Sequence, residues 1–274
     1  IYATANNGLK GAKISFPKIS VGATENLLIA ACKAKGRTIL SNCAIEPEVK
    51  DLSNFLMKLG CKIKWLGKRK IQIDGVKNLK EINYNIMFDR IEAVTYMIAA
   101  AATNGRVAIK NIQPKVIDKE ILLLKKIGVK IIEKKNKITA IGSKSLKSVN
   151  IKTSPYPGFP TDLQAQLMVL MCKAKNKSVI EENIFENRFM HVSELNRMGA
   201  DIIVKGRKAI INGNKKLNGA ELMATDLRAS VSLVIAALIS NKKSIINRIY
   251  HLDRGYENIE KKLSSCGANI KRIK

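Results

Sequence analysis

The stretch LMKLGCKI, residues 56–63, recurs along this chain as LKKIGVKI (124–131), LNRMGADI (195–202) and LSSCGANI (263–270). Each copy opens on a leucine, places a glycine fifth and closes on an isoleucine. The glycines Gly60, Gly128, Gly199 and Gly267 are 68, 71 and 68 residues apart. A second marker keeps step: Leu9 in GLKGAKI, Leu79 in NLKEINY, Leu146 in SLKSVNI and Leu217 in KLNGAEL are spaced 70, 67 and 71. Two markers with one period define an internal repeat, and that period is too long for ankyrin or tetratricopeptide arrays.

Periodicity fills in each unit. A short strand opens it, as in AKISF (12–16) or VNIKT (149–153). An apolar helix follows: ATENLLIAACKA, IEAVTYMIAAAA, DLQAQLMVLMCKA or LRASVSLVIAAL. After a turn (KGR, NGR, KNK or NKK) comes a second strand, then a second helix that runs to the marker glycine. Glycine there suits a left-handed residue ending the helix. A hairpin such as KIIEKKNKITAIG (130–142) completes a β-α-β-α-β-β unit, and the fourth copy stops at IKRIK without its last strand. The mixed pattern predicts an α/β or α+β fold.

Composition narrows the function classes. The chain has 274 residues, 46% of them hydrophobic, enough for one or two packed domains. No apolar run reaches the roughly 18 residues that a bilayer span needs. The five cysteines, Cys32, Cys43, Cys61, Cys172 and Cys266, form no C-x-x-C pair, so they read as reduced structural thiols and not as a zinc site. The net charge of +27 raises the alternative of a basic nucleic-acid-binding repeat protein. However, the excess is lysine spread along the whole length, and aromatics are only 5%, so no stacking platform is visible. A positive field still favours anionic substrates.

The long strings SVGATEN (20–26), EPEVKDLSNFL (46–56), DRIEA (89–93), FPTDLQAQ (159–166), FENRFMHV (185–192), MATDLRAS (223–230) and IYHLDRGYE (249–257) resemble the enolpyruvyl transferase family over the whole chain. The likeness is to its UDP-sugar branch; the shikimate 3-phosphate branch is the alternative. The resemblance implies an inside-out α/β barrel of repeated β-α-β-α-β-β units in two domains. Residues 1–88 would be the last unit of an incomplete first domain, and 89–274 a second domain of three units. It implies a cytoplasmic enzyme of peptidoglycan precursor synthesis. Its partners would be UDP-N-acetylglucosamine and phosphoenolpyruvate, with no metal or organic cofactor, no membrane and no specific nucleic acid. It also implies six units in a complete member, so the chain reads as a piece lacking about the first third and inactive alone. A segment N-terminal to it in the same polypeptide would supply the missing strand and the loop bearing a Cys or Asp proton donor.

Anionic substrates call for guanidinium forks and free N–H groups at helix starts. Arginine is scarce beside lysine, which draws attention to Arg90, Arg188, Arg228 and Arg254 inside those strings. On residue chemistry alone a surface or structural ion pair is the favoured reading of each. The resemblance implies that Arg228 and Arg254 face phosphoenolpyruvate and that Arg188 lines a cleft between domains. Ser20 reads as an N-cap; by resemblance its loop (Lys18, Ser20, Val21, Gly22) also binds the UDP part, and Ile184 touches the nucleotide through its backbone. Asp162, in the first of two T-D-L-x-A stretches, reads equally as a helix N-cap and as a general base. Its twin Asp226 reads as a cap that, by resemblance, lies near the reacting centre. Glu46 and Asp89 start helices, where acidic residues are favoured on dipole grounds; by resemblance they lie near the domain interface.

Overall fold

The computed structural model describes residues 2–273, which divide into two compact units. The first runs to Met87 and takes in Pro155–Pro157; the second runs from Phe88 to Ser154 and onward from Gly158.

The first unit is one full repeat. Strand β1 (Lys13–Ser15) leads to helix α1 (Val21–Lys33), β2 (Arg37–Ser41), α2 (Pro47–Lys58), β3 (Lys62–Gly67) and β4 (Lys70–Asp74). The sheet order is β1-β2-β4-β3, with β1 parallel to β2 and the rest antiparallel. Leu40 of β2 faces Ile71 of β4 in register, and both are buried against Leu28, Cys32, Val49 and Leu56 of the two helices.

The second unit holds the other three copies. The first contributes α3 (Arg90–Ala102), β5 (Arg106–Lys110), α4 (Asp118–Ile127), β6 (Lys130–Lys134) and β7 (Lys137–Ile141). The next has β8 (Asn150–Lys152), α5 (Gln164–Lys173), β9 (Lys177–Glu181), α6 (His191–Arg197), β10 (Asp201–Lys205) and β11 (Lys208–Asn212). The last has β12 (Glu221–Met223), α7 (Leu227–Leu238), β13 (Ile245–Asn247), α8 (Tyr250–Asp253) and α9 (Ile259–Ser265). Sheets β5-β7-β6 and β8-β9-β11-β10 and the pair β12-β13 accompany these helices. Helices α3, α5 and α7 lie inside: every residue from Gln164 to Cys172 is buried, and so is every residue from Ala229 to Ala236. A helix apolar all round has no face to give to water, so it becomes core. The repeated α/β architecture and its internal helices agree with the expectation.

All four marker glycines have positive φ (102°, 108°, 91° and 94°). Each closes the same Schellman motif, in which the residue after glycine donates its N–H to the leucine that opens the marker: Cys61 to Leu56, Val129 to Leu124, Ala200 to Leu195 and Ala268 to Leu263, at 2.9–3.0 Å. The leucines are buried. One local motif therefore both ends the helix and aims the hairpin.

Two departures stand out. Among the described residues the copy built on α3 has no opening strand. The residues before it are tied to α2 instead, where the Asp51 carboxylate accepts from Tyr84 Oη at 2.7 Å and from the Met87 N–H at 3.3 Å. In the last copy the second helix is broken into α8 and α9 at Asn258, whose φ is +47°. Among the described residues no helix is long and apolar enough to cross a membrane. Cys32, Cys43, Cys61 and Cys172 are buried free thiols and Cys266 is exposed; burial pushes the Cys172 thiol up to about 12, far from a reactive thiolate.

Candidate active site

The two T-D-L-x-A stretches do different work. Asp226 caps α7: its Oδ1 accepts from the N–H groups of Arg228 at 2.8 Å and Ala229 at 2.9 Å. Asp162 sits in a one-turn 3-10 segment (Thr161–Leu163) before α5, and its side chain makes no cap bond among the described residues. Its carboxylate reaches two guanidinium groups instead. Arg188 Nη2 donates to Oδ1 at 2.7 Å, and Arg228 Nη2 donates to Oδ2 at 3.1 Å. The side chains of Asp162, Arg188 and Arg228 are 35, 20 and 16% exposed, so the triad is desolvated on one side and open on the other.

Buried neighbours hold the triad. Burial alone would weaken the cation on Arg228, but Asp162, then Tyr256 and Asp89, outweigh it and raise its pKa above the ordinary guanidinium value. The Arg188 guanidinium lies over the Phe185 ring at 4.8 Å. Gln166, one turn along α5, donates to the backbone carbonyl of Asp162 at 2.9 Å. His191, at the start of α6, is buried, and its Nε2 has no partner among the described residues. Desolvation pushes its pKa down to about 4, opposed by Asp226 and reinforced by Arg188, so the imidazole is neutral at pH 7.

Sequence reasoning missed Glu182. Its buried carboxylate accepts from the N–H groups of Ile184 (2.9 Å) and Phe185 (3.1 Å) and from Thr161 Oγ1 (2.8 Å). It thereby ties the loop carrying Arg188 to the turn carrying Asp162. The signal was an acidic residue just past the half-buried strand β9, where an unpaired charge would be costly. The bond also occupies the Ile184 N–H, which leaves the carbonyl for any backbone contact at that residue.

Other singled-out residues fall elsewhere. Asp89 caps α3 through Ile91 N (2.8 Å) and Glu92 N (2.9 Å), and Arg90 pairs with Glu120 at 3.6 Å inside the unit. Arg254 is exposed at the end of α8, and no bond links it to the triad among the described residues. Its neighbour Gly255 packs against Leu227, where a Cβ would stand 2.9 Å from Leu227 Cδ2, so the D-R-G turn abuts the residue preceding Arg228.

The first unit carries the remaining candidates. Ser20 is the N-cap of α1, its Oγ accepting from Ala23 N at 3.2 Å. Lys18 is exposed, a Cβ on Gly22 would meet open space, and the N–H groups of Val21 and Gly22 have no partner among the described residues. Cap and open N–H groups thus coexist on one helix start of 13 residues. Glu46 precedes α2 but makes no cap bond. Its carboxylate is buried and accepts from Ile45 N (2.9 Å) and Tyr156 N (3.2 Å). Arg69 holds the Tyr156 carbonyl at 2.9 Å, so Glu46 helps to fix that segment.

Residues 2–263 match the profile of the EPSP synthase (3-phosphoshikimate 1-carboxyvinyltransferase) family. The chain is 67% identical over 273 residues to a UDP-N-acetylglucosamine 1-carboxyvinyltransferase of Pelagibacter ubique, covering all of this chain and 66% of that protein. Proteins of the same name from Geotalea daltonii and Rickettsia akari are 57% and 52% identical, covering 97% and 100% of this chain and 64% and 65% of theirs. The chain therefore spans about two thirds of the length of these relatives. The crystal structure of the enolpyruvyl transferase NikO from Streptomyces tendae superposes with a TM-score of 0.88 at 25% identity, over 98% of this chain and 68% of that one. An EPSP synthase from Acinetobacter baumannii superposes with a TM-score of 0.74 at 20% identity, over 96% and 64%, a likeness of fold. The repeat, the internal helices and the profile match along nearly the whole length place this chain in the EPSP synthase family of enolpyruvyl transferases.

Proposed function

We propose that this chain carries much of the active site of a UDP-N-acetylglucosamine 1-carboxyvinyltransferase. That enzyme moves the enolpyruvyl group of phosphoenolpyruvate to the 3-hydroxyl of UDP-N-acetylglucosamine and releases phosphate, at the start of cytoplasmic peptidoglycan precursor synthesis. The observation that carries the reading is the half-open triad of Asp162 with Arg188 and Arg228. The shared name of relatives at 52–67% identity supports it over the shikimate branch.

In this reading Arg228 and Arg254 neutralise the phosphate and carboxylate of phosphoenolpyruvate, and Arg188 orients the reacting groups. Lys18, the Ser20 side chain and the open N–H groups of Val21 and Gly22 take the UDP diphosphate, with the Ile184 backbone against the nucleotide. Asp162 accepts the proton of the sugar 3-hydroxyl as that hydroxyl oxygen bonds to C2 of phosphoenolpyruvate, while C3 takes a proton from a separate acid. The tetrahedral adduct then loses phosphate from C2 and a proton from C3, restoring the double bond. Asp226, as the α7 cap, fixes the start of the helix that carries Arg228, while Asp89 adds negative charge behind Arg228 and Glu46 braces the Tyr156 segment. Both oxygens of Asp162 are occupied by arginines here. Anionic phosphoenolpyruvate offers the same guanidinium groups new partners, which frees Asp162 to act.

Steady-state phosphate release by the complete gene product tests this. Asp162→Asn should lower kcat by about 10²–10⁴-fold with little change in the melting temperature. Wild-type turnover with shikimate 3-phosphate but not with UDP-N-acetylglucosamine would overturn the substrate assignment.

A further inference from the structure

Behind the triad, α3, α5, α7 and the turn after α8 meet at one hydroxyl. Tyr256 is fully buried among Val231, Val234, Leu252, Ile259 and Leu263. Its Oη lies 3.0 Å from Thr95 Oγ1, 3.3 Å from Arg228 Nη1 and 3.4 Å from Gln166 Nε2. The proton order follows from donor inventory. Thr95 Oγ1 donates to the Ile91 carbonyl at 2.8 Å, since a carbonyl can only accept. Thr95 is then an acceptor, so the Tyr256 O–H donates to it. The Tyr256 oxygen lone pairs are left for Arg228 and Gln166, whose groups can only donate. One Gln166 Nε2 proton goes to the Asp162 carbonyl (2.9 Å), which fixes the amide orientation, and the other is shared between Thr95 Oγ1 (3.2 Å) and Tyr256 Oη (3.4 Å).

We propose that Tyr256 is the positioning residue for Arg228: a single-direction chain, Arg228 to Tyr256 to Thr95 to Ile91, locks the rear of the guanidinium so that its other nitrogen points at Asp162 and at arriving phosphoenolpyruvate. This rests on the function proposed above. Charge neutralisation needs only a cation nearby, whereas a preorganised fork needs that cation's torsions fixed before substrate arrives. Arg228 Nη1 has this buried anchor; among the described residues Arg188 has no such bond behind it and rests on the exposed ring of Phe185. Phosphoenolpyruvate binding should therefore depend on Tyr256, and the UDP-sugar, whose proposed diphosphate loop lies in the first unit, should not.

Tyr256→Phe keeps the ring and removes only the hydroxyl; Thr95→Val keeps shape and removes the acceptor, and serves if the first variant folds poorly. Two readouts on the complete gene product decide the matter. In steady-state kinetics, KM for phosphoenolpyruvate should rise about tenfold while KM for UDP-N-acetylglucosamine stays within about twofold. In side-chain NMR relaxation of labelled arginine, Arg228 should be ordered in the wild type and mobile in the variant. Equal changes in both KM values, or an Arg228 that stays ordered, overturn the positioning role. Wild-type protein without transferase activity, but with Arg228 freed by either variant, overturns the function proposed above and leaves the anchoring of Arg228 by Tyr256 standing.

Discussion

Arg228 Nη2 stands 3.1 Å from Asp162 Oδ2, so the variable fourth residue of the second T-D-L-x-A stretch grips the aspartate of the first, 66 residues away in sequence. The same position of the first stretch holds Gln164, on a buried helix. The repeat thus supplies two equivalent helix starts, and the difference between them makes an ion pair.

The twin aspartates should separate stability from activity. Asp226→Ala should cost about 1 kcal/mol by removing the cap of α7, and Asp226→Asn should restore most of it, because asparagine caps as well as aspartate. Asp162→Asn should leave the urea midpoint almost unchanged while lowering kcat by about 10²–10⁴-fold. A loss of about 1 kcal/mol in Asp162→Ala that Asp162→Asn restores would show that Asp162 is a cap after all.

Arg228→Lys keeps the charge and loses the fork. A lysine cannot hold Asp162 and Tyr256 from two fixed nitrogens. KM for phosphoenolpyruvate should rise about ten- to hundredfold, the scale of one charged hydrogen bond, as read by phosphate release under saturating UDP-sugar.

His191 gives a pH signature. Its folded value, about 4, lies below the unfolded value of 6.5. The unfolded chain therefore binds the extra proton between those limits, and stability falls as pH drops from about 6.5 to 4, by on the order of 3 kcal/mol from this group. Melting temperatures of wild type and His191→Gln measured from pH 7 to pH 4 should converge as pH falls. A gap that is constant with pH would exclude a buried neutral imidazole.

The loop around Arg188 depends on Glu182. Glu182→Ala removes the acceptor of the partly buried N–H groups of Ile184 and Phe185, which water can reach in part, at a cost of about 1 kcal/mol or less each. Hydrogen exchange over residues 184–190 should accelerate in the variant while that of α5 stays slow. Unchanged exchange in the loop would show that Glu182 does not hold it.

Much of the architecture was legible because its determinants are local. A glycine with positive φ, a leucine four residues before it and the residue after it complete a helix stop within six residues, so four copies of one motif can be read without knowing what surrounds them. Mostly apolar runs with few charged residues likewise announced helices α3, α5 and α7. The missing strand before α3 was not legible, because Asp51 of the preceding helix captures Tyr84 and Met87, and no local pattern records that capture.

The chemistry divides along the same line. Sequence alone established Ser20 as the cap of α1 and left Asp162 equally a cap or a base. Tertiary structure separated the twins, because a cap bond closes within three residues, whereas the ion pairs of Asp162 need Arg188 and Arg228 brought from 26 and 66 residues away. It also revealed Tyr256 and Glu182, whose meaning lies in partners that only folding delivers. Hydrogen bonds and ion pairs act over about 3 Å in space, so a site assembled from four helix ends is written in packing, and the sequence shows only the residues available to build it.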